Sequence, residues 1–172
     1  MILVKICGIT NWPDAVAACD AGANMLGFNF YEKSLRRVST VEAATIRAKL
    51  PPGVQAVGLF VNAKPAEINS LHAFVRFNAA QLHGDETPAI VSEVTRTVPV
   101  IKAFRVATSF ELIERIPDTC IAVSESGLRT HDDLTKLRNA GFDAFLIGES
   151  LMLSPDPAAA LGAFLGRSPL PV

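Results

Sequence analysis

Short apolar runs rich in β-branched residues alternate along this chain with amphipathic stretches of about ten residues. This alternation is typical of βα units that build a parallel sheet. The runs are nearly continuous in apolar residues, as expected for strands that are covered on both faces. The pattern predicts seven strands, near Leu3–Cys7, Met25–Phe30, Gln55–Val61, Ala79–His83, Val98–Phe104, Cys120–Ser124 and Ala144–Gly148.

Helix start signals fall between these strands. Thr10 or Asn11 can cap a first helix that has Pro13 in its first turn. Ser39 and Glu42 fit a capping box, in which each side chain accepts a hydrogen bond from the other residue's backbone N–H. Strands and helices therefore alternate in the order that a parallel barrel requires.

Chain length and a weak internal repeat bear on the architecture. The segment Ala21–Gly27 resembles Ala140–Leu146, since in each a helix ends at Ala-Gly just before a buried strand. The 172 residues fall short of the roughly 200–250 of an eight-unit barrel. We predict a TIM-type parallel (β/α) barrel, one βα unit short, in a single domain over residues 1–172. A doubly wound open sheet is the alternative, although no nucleotide-binding glycine motif follows the first strand.

Composition excludes several classes of protein. The 16 basic and 17 acidic residues give a net charge of −1, which argues against a nucleic-acid partner or an anionic membrane. No apolar run reaches the roughly 20 residues of a membrane span, and the N-terminus does not fit a secretory signal. Cys7, Cys19 and Cys120 are widely spaced and odd in number, which argues against disulfides and zinc. We expect a soluble, cytoplasmic protein without a metal.

Candidate chemistry lies where the strands end, because those ends face the active-site mouth of a parallel barrel. Cys7 ends the first strand and is a candidate base or nucleophile if a neighbouring cation favours its thiolate; the alternative is a small buried hydrophobe. Gln81 and His83 lie on the same side of a strand. Either a bound polar ligand or a neighbouring loop would satisfy this pair.

Two further features could hold an anion. Lys33, Arg36 and Arg37 share one loop, which suits a carboxylate or phosphate or is simply a solvated surface. Ser124–Gly127 and Ile147–Ser150 both leave buried strands with Gly and Ser, and backbone N–H groups at such turns approach phosphates closely. Barrels commonly bind phosphate after their last two strands.

These motifs carry a resemblance to two families. In order along residues 2–105, Val4–Thr10, Leu26–Phe28, Ser34–Arg36, Val57–Asn62, Gln81–Glu86 and Ile101–Phe104 resemble phosphoribosylanthranilate isomerase. Further on, Ile116–Asp118, Ala122–Gly127 and Gly141–Met152 resemble the last two βα units of indole-3-glycerol-phosphate synthase. The chain therefore resembles a chimera, with an isomerase-like part over 1–105 and a synthase-like part over 106–166.

The resemblance implies an activity in tryptophan biosynthesis. The isomerase family rearranges N-(5-phosphoribosyl)anthranilate to 1-(2-carboxyphenylamino)-1-deoxyribulose 5-phosphate without any cofactor. The resemblance also implies that Cys7 is the catalytic base and that Arg36 holds the anthranilate carboxylate. The remaining expected contacts are Gln81, His83 and Lys102 on the substrate and Ser126, Gly127, Gly148, Glu149 and Ser150 on the phosphate.

One expected part is missing. The sixth strand, whose end carries the family's general-acid aspartate, has no counterpart in this sequence, and Glu125 is the carboxylate that we expect to replace it. Two alternatives stay open: a weak or inactive phosphate-binding scaffold, and indole-3-glycerol-phosphate synthase activity. A barrel that fails to close would expose strand edges, so we expect either a monomer or a homodimer.

Overall fold

The computed structural model describes residues 3–103, 113, 122–125, 130–147 and 157–166. Its strands are β1 (Leu3–Cys7), β2 (Met25–Asn29), β3 (Gln55–Phe60), β4 (Ala79–Leu82), β5 (Val100–Lys102), β6 (Val123–Glu125) and β7 (Ala144–Ile147). Its helices are α1 (Trp12–Asp20), α2 (Thr40–Lys49), α3 (Pro65–Val75), α4 (Pro88–Thr95), α5 (His131–Asn139) and α6 (Pro157–Phe164).

All seven described strands join one parallel sheet in the order β5-β4-β3-β2-β1-β7-β6. The sheet is a curled half-barrel, which confirms the predicted TIM-type α/β fold. Within the described ranges β5 and β6 each have one neighbour, so the ladder does not close between them. Residues 104–121, except Ile113, lie outside the described part, and the predicted loss of a sixth strand falls there.

The two faces of the sheet differ in what they bury. Because side chains alternate along a strand, Val4 and Ile6 of β1 face the helices and belong to the main apolar cluster. Lys5 and Cys7 alternate with these two residues and therefore lie together on the opposite, inner face. The register places them beside Met25 and Gly27 of β2. The inner face of β1 is therefore the one that carries polar chemistry.

Local capping fixes where the helices begin. The Asn11 side chain accepts a hydrogen bond from Asp14 N–H at 2.9 Å and starts α1. At α5, Thr130 and Asp133 form a reciprocal capping box. In the described part of the chain, every helix is too short or too polar to cross a membrane.

A cluster of phenylalanines packs against β3 on its helix-facing side. The rings of Phe30 and Phe60 stack with centroids 5.4 Å apart, and Phe77 lies 5.7 Å from Phe60. A Cβ added at Gly58 would lie 2.9 Å from Phe60 and 3.1 Å from Phe77. These separations are shorter than side-chain carbons tolerate, so the aromatic packing requires glycine at this position.

We expect Gly58→Ala to destabilise the protein by about 1–2 kcal/mol, because the new methyl group must displace buried rings. The matched control is Gly162→Ala in α6, where a Cβ meets nothing within 4 Å and helix propensity predicts a gain of about 0.5–1 kcal/mol. Urea unfolding monitored by circular dichroism measures both values. Shifts of the same sign in the two variants would contradict this account of the core.

Candidate active site

The loop after β2 lies against the end of β1. Gly8 has φ +88°, and its N–H donates to the Gly27 carbonyl at 2.9 Å. A Cβ at Gly8 would lie 2.7 Å from Cδ of Arg36 and 3.3 Å from its Cβ. The aliphatic part of Arg36 therefore occupies the space that a side chain at this position would fill. This packing brings the arginine beside the residue that follows Cys7 in the chain.

Asn29, at the end of β2, organises the loop that carries Arg36. Its amide donates to Ser34 Oγ at 2.9 Å, and its Oδ1 accepts from Tyr31 N–H at 2.9 Å. Ser34 Oγ in turn accepts from Arg36 N–H at 3.2 Å. Among the described residues Arg37 pairs with Glu32 on the surface, and no acidic side chain pairs with Arg36. The Arg36 guanidinium is thus available to an anionic ligand as far as the described residues show.

Gln81 and His83 follow the expected alternation at the end of β4. Gln81 is fully buried, and its Nε2 lies 3.4 Å from His83 Nδ1. The His83 backbone N–H donates to the Phe60 carbonyl at 2.8 Å, which extends the β3–β4 ladder by one bond. The two side chains thus contact each other on the inner face.

Lys102 and Glu86 form a buried ion pair that sequence analysis missed. Glu86 Oε2 lies 3.0 Å from Lys102 Nζ, and the side-chain exposure is 0% for Glu86 and 16% for Lys102. The ammonium also donates to the carbonyls of Leu82, Gly84 and Ala103. These protein acceptors tie Lys102 to the loop after β4, and the expected contact of Lys102 with substrate stays a prediction. The sequence feature that could have predicted this pair is Glu86 itself, an acidic residue two positions after Gly84, just after the end of β4.

Backbone groups complete this network around the Glu86 carboxylate. Oε1 accepts from Asn62 N–H at 2.9 Å, and both carboxylate oxygens accept from Gly84 N–H at 3.1 and 3.0 Å. Burial alone would raise the pKa of Glu86, but the hydrogen bonds from Asn62 and Lys102 outweigh it and hold the pKa below its ordinary value. The carboxylate is therefore charged and fixes the loops after β3 and β4 together.

The remaining predicted residues are only partly described. Glu125 ends β6, and its backbone pairs with Leu146 of β7. Ser126, Gly127, Gly148, Glu149 and Ser150 lie outside the described residues. Nowhere in the described ranges do three or more His, Cys, Asp or Glu side chains gather as a metal site would require.

Comparison with known proteins gives the family. The model of the N-(5'phosphoribosyl)anthranilate (PRA) isomerase family matches residues 4–127. That match covers most of the chain. The chain belongs to the PRA isomerase family. The match extends past residue 105 into the part in which sequence analysis predicted a synthase-like segment, and no comparison supports that segment's likeness to the synthase.

Curated relatives of this family match nearly two thirds of the chain. The N-(5'-phosphoribosyl)anthranilate isomerase of Geobacter sulfurreducens is 52% identical over 106 residues, which are 62% of this chain and 51% of the relative. The enzyme of Thermotoga maritima is 42% identical over 112 residues, which are 65% of this chain and 55% of the relative. The chain thus spans about half the length of the curated relatives it matches.

Solved structures of the family match the fold over nearly the whole chain. A phosphoribosyl anthranilate isomerase in complex with reduced 1-(o-carboxyphenylamino)-1-deoxyribulose 5-phosphate superposes with a TM-score of 0.85 and 29% identity, covering 96% of this chain and 100% of that one. The Thermotoga maritima isomerase gives 0.84 and 27%, covering 97% and 98%. Another structure of that enzyme describes monomers made from a dimeric protein.

We expect Glu86→Gln to lower the free energy of unfolding by about 3 kcal/mol near neutral pH, because it leaves the Lys102 ammonium without its counter-charge. The folded-state pKa is depressed, so the charged pair stabilises above the unfolded carboxyl pKa of about 4.3 and this contribution disappears as pH falls through the lower folded value. Denaturant unfolding at a series of pH values should show the two proteins converge in acid.

The control is Glu93→Gln on the exposed side of α4. It changes the same charge without breaking a buried pair, and its stability should follow that of the parent chain at every pH. If the free energy of unfolding of Glu86→Gln equalled that of the parent chain at neutral pH, the ion pair would not be what holds this loop.

Proposed function

We propose that this chain is a phosphoribosylanthranilate isomerase that converts N-(5-phosphoribosyl)anthranilate to 1-(2-carboxyphenylamino)-1-deoxyribulose 5-phosphate in tryptophan biosynthesis. Family membership supports the proposal. The observation that carries it is the packing of Arg36 over Gly8, next to Cys7. This packing supports the assignment of Cys7 as the base and of Arg36 as the carboxylate-binding cation, because the substrate requires both groups at one end of the sheet.

The reaction needs one acid and one base. The acid protonates the ribose ring oxygen, the C1′–O bond breaks with its electrons on oxygen, and the anthranilate nitrogen forms a C1′=N iminium. Cys7 Sγ then takes the proton from C2′, and the C–H electrons form a C1′=C2′ double bond as the iminium is neutralised. The resulting enol becomes the ketone by moving a proton from the C2′ oxygen to C1′.

Glu125 is our candidate for the acid. Glu125 is the last residue of β6, which is two strands from β1 in the sheet order. The carboxyl ends of β6 and β1 lie at the same edge of the sheet. Carboxyl ends of parallel strands share one edge, so the position suits a proton donor to the same substrate. The phosphate contacts expected at Ser126, Gly127, Gly148, Glu149 and Ser150 stay part of the proposal. They follow β6 and β7 directly in the chain.

The other predicted substrate contacts differ in how well the geometry supports them. Gln81 and His83 contact each other on the inner face, which suits hydrogen bonding to a polar ligand near Arg36. Lys102 already donates to protein acceptors in the loop after β4, so its proposed contact with substrate has less support from the geometry. We retain Arg36 as the group that binds the anthranilate carboxylate, through the two parallel hydrogen bonds that a guanidinium offers.

The finer features of the chain stay predictions. The division into parts 1–105 and 106–166, and the synthase likeness of the second part, rest on sequence motifs alone. We propose a phosphorylated small-molecule substrate, a cytoplasmic location, and a monomer or homodimer. An inactive phosphate-binding scaffold is the second candidate, because the sequence motifs predict no counterpart to the family's sixth strand.

The decisive measurement follows the fluorescence of the anthranilate substrate as the protein is added. We expect turnover in the parent chain and a loss of about 10²–10⁴-fold in kcat for Cys7→Ala and for Glu125→Gln, since each removes one proton-transfer group. Arg36→Met should instead raise KM by about tenfold or more, because it removes a charged contact to the bound substrate.

The matched control is Cys19→Ala, which removes the thiol of α1 and should leave turnover unchanged. Burial, followed by the charge of Asp20, raises the pKa of the Cys19 thiol, so this thiol stays protonated near neutral pH and does not accept a proton. No substrate consumption by the parent chain would favour the inactive scaffold. Unchanged rates in both Cys7→Ala and Glu125→Gln would overturn the residue assignment.

A further inference from the structure

The ammonium group of Lys5 is buried on the inner face of β1. The residue is 3% exposed, and its Nζ has no hydrogen-bond partner among the residues that the structure describes. Removing an ammonium from water without a partner costs several kcal/mol. A negative charge beside Lys5 would offset this cost.

Cys7 brings an ionisable group close to this ammonium. A Cβ at Gly27 would lie 2.9 Å from Cys7 Sγ and 3.1 Å from Lys5 Nζ. Since both atoms flank the same point, they lie within about 6 Å of each other, a range in which an opposite charge favours the charged form of a group. The absence of a side chain at Gly27 leaves this space to the thiol and the amine.

Three other elements around the thiol carry charged or titratable residues. β7 contributes the apolar Leu146, whose backbone pairs with both Lys5 of β1 and Glu125 of β6. Lys5 and Glu125 therefore lie at the same level of the sheet, on the two strands that flank β7. The loop after β2 contributes Arg36, whose stem covers Gly8. The remaining titratable group described on the inner face is His83, which contacts Gln81 after β4.

We propose that Lys5 is a positioning residue that keeps Cys7 as a thiolate, and that this thiolate is the counter-ion of the buried ammonium. When the pair forms, the thiol proton passes to water and Lys5 retains its own proton. The consequence for catalysis rests on the proposed function: a thiolate can accept the C2′ proton directly, whereas a neutral thiol cannot.

Alkylation by iodoacetamide tests the pair without any substrate. The rate at Cys7 is followed by mass spectrometry of the peptide that contains it, over a range of pH. We expect Lys5→Met to slow alkylation at about pH 7 by tenfold or more and to move the half-maximal rate to higher pH by about one unit. Lys5→Arg, which keeps the charge, should restore much of the rate.

Two controls separate the charge pair from a general effect. Cys19 in the same protein should react at the same rate before and after Lys5→Met. Lys49→Met removes an equal charge at the end of α2, where Lys49 lies 5.4 Å from the ring centre of Trp12, and it should leave the reactivity of Cys7 unchanged. Equal alkylation profiles for the parent and Lys5→Met would overturn the proposal.

A second measurement keeps the parent lysine. Cys7→Ser replaces the thiolate by a neutral hydroxyl, so it should lower Tm near neutral pH because the buried ammonium loses its counter-ion. Adding Lys5→Met should recover much of the lost Tm, because the unpaired charge is then removed. A Tm unaffected by Cys7→Ser would count against the pair, even if Lys5→Met did not fold by itself.

Activity is measured separately, so the two proposals fail in different ways. Slower alkylation in Lys5→Met, in a parent chain that does not turn over the substrate, would retain the ion pair and reject the isomerase. Turnover by the parent chain, together with an alkylation profile that Lys5→Met leaves unchanged, would retain the isomerase and reject the ion pair. If both hold, Lys5→Met should lower kcat much more than it changes KM, and raising the pH should recover part of the loss.

Discussion

The register of β1 is the constraint on which the site depends. This strand is hydrogen-bonded on both sides, to β2 and to β7. Val4 and Ile6 are almost completely buried beneath the helices, and the intervening Lys5 and Cys7 face inward as a result. A slip of one residue would exchange these two pairs, exposing apolar side chains to the inner face and placing an ammonium in the helix layer. Burial of the apolar pair therefore sets the position of the reactive one.

The strand pattern was largely predictable because five of the seven described strands begin where the pattern of apolar runs places them. β1, β2, β3, β4 and β7 start at the predicted residues. β5 starts later than predicted, at Val100, for a backbone reason: Val98 N–H bonds to the Val94 carbonyl at the end of α4, and Pro99 has no N–H to give to a ladder. Hydrophobicity alone does not report such competing hydrogen bonds.

The candidate site was predictable where it depends on position in a strand, and less so where it depends on side-chain partners. Cys7, Gln81 and His83 are placed by alternation, which the sequence reveals directly. The engagement of Lys102 by Glu86 requires two loops to meet in space, and no local spacing encodes that contact. Lys5 did leave a signal, since it interrupts an otherwise apolar strand.

The junction of Asn62 with Gly84 limits how the rim of the site can evolve. A Cβ at Gly84 would lie 2.7 Å from Asn62 Cγ and 2.8 Å from its backbone nitrogen, and Asn62 itself adopts φ 53°. Asp85, between Gly84 and Glu86, has an exposed side chain, while its backbone N–H donates to Asn62 Oδ1 at 2.8 Å. A combinatorial library that seeks a new substrate preference at this rim would randomise position 85 and keep its three neighbours invariant.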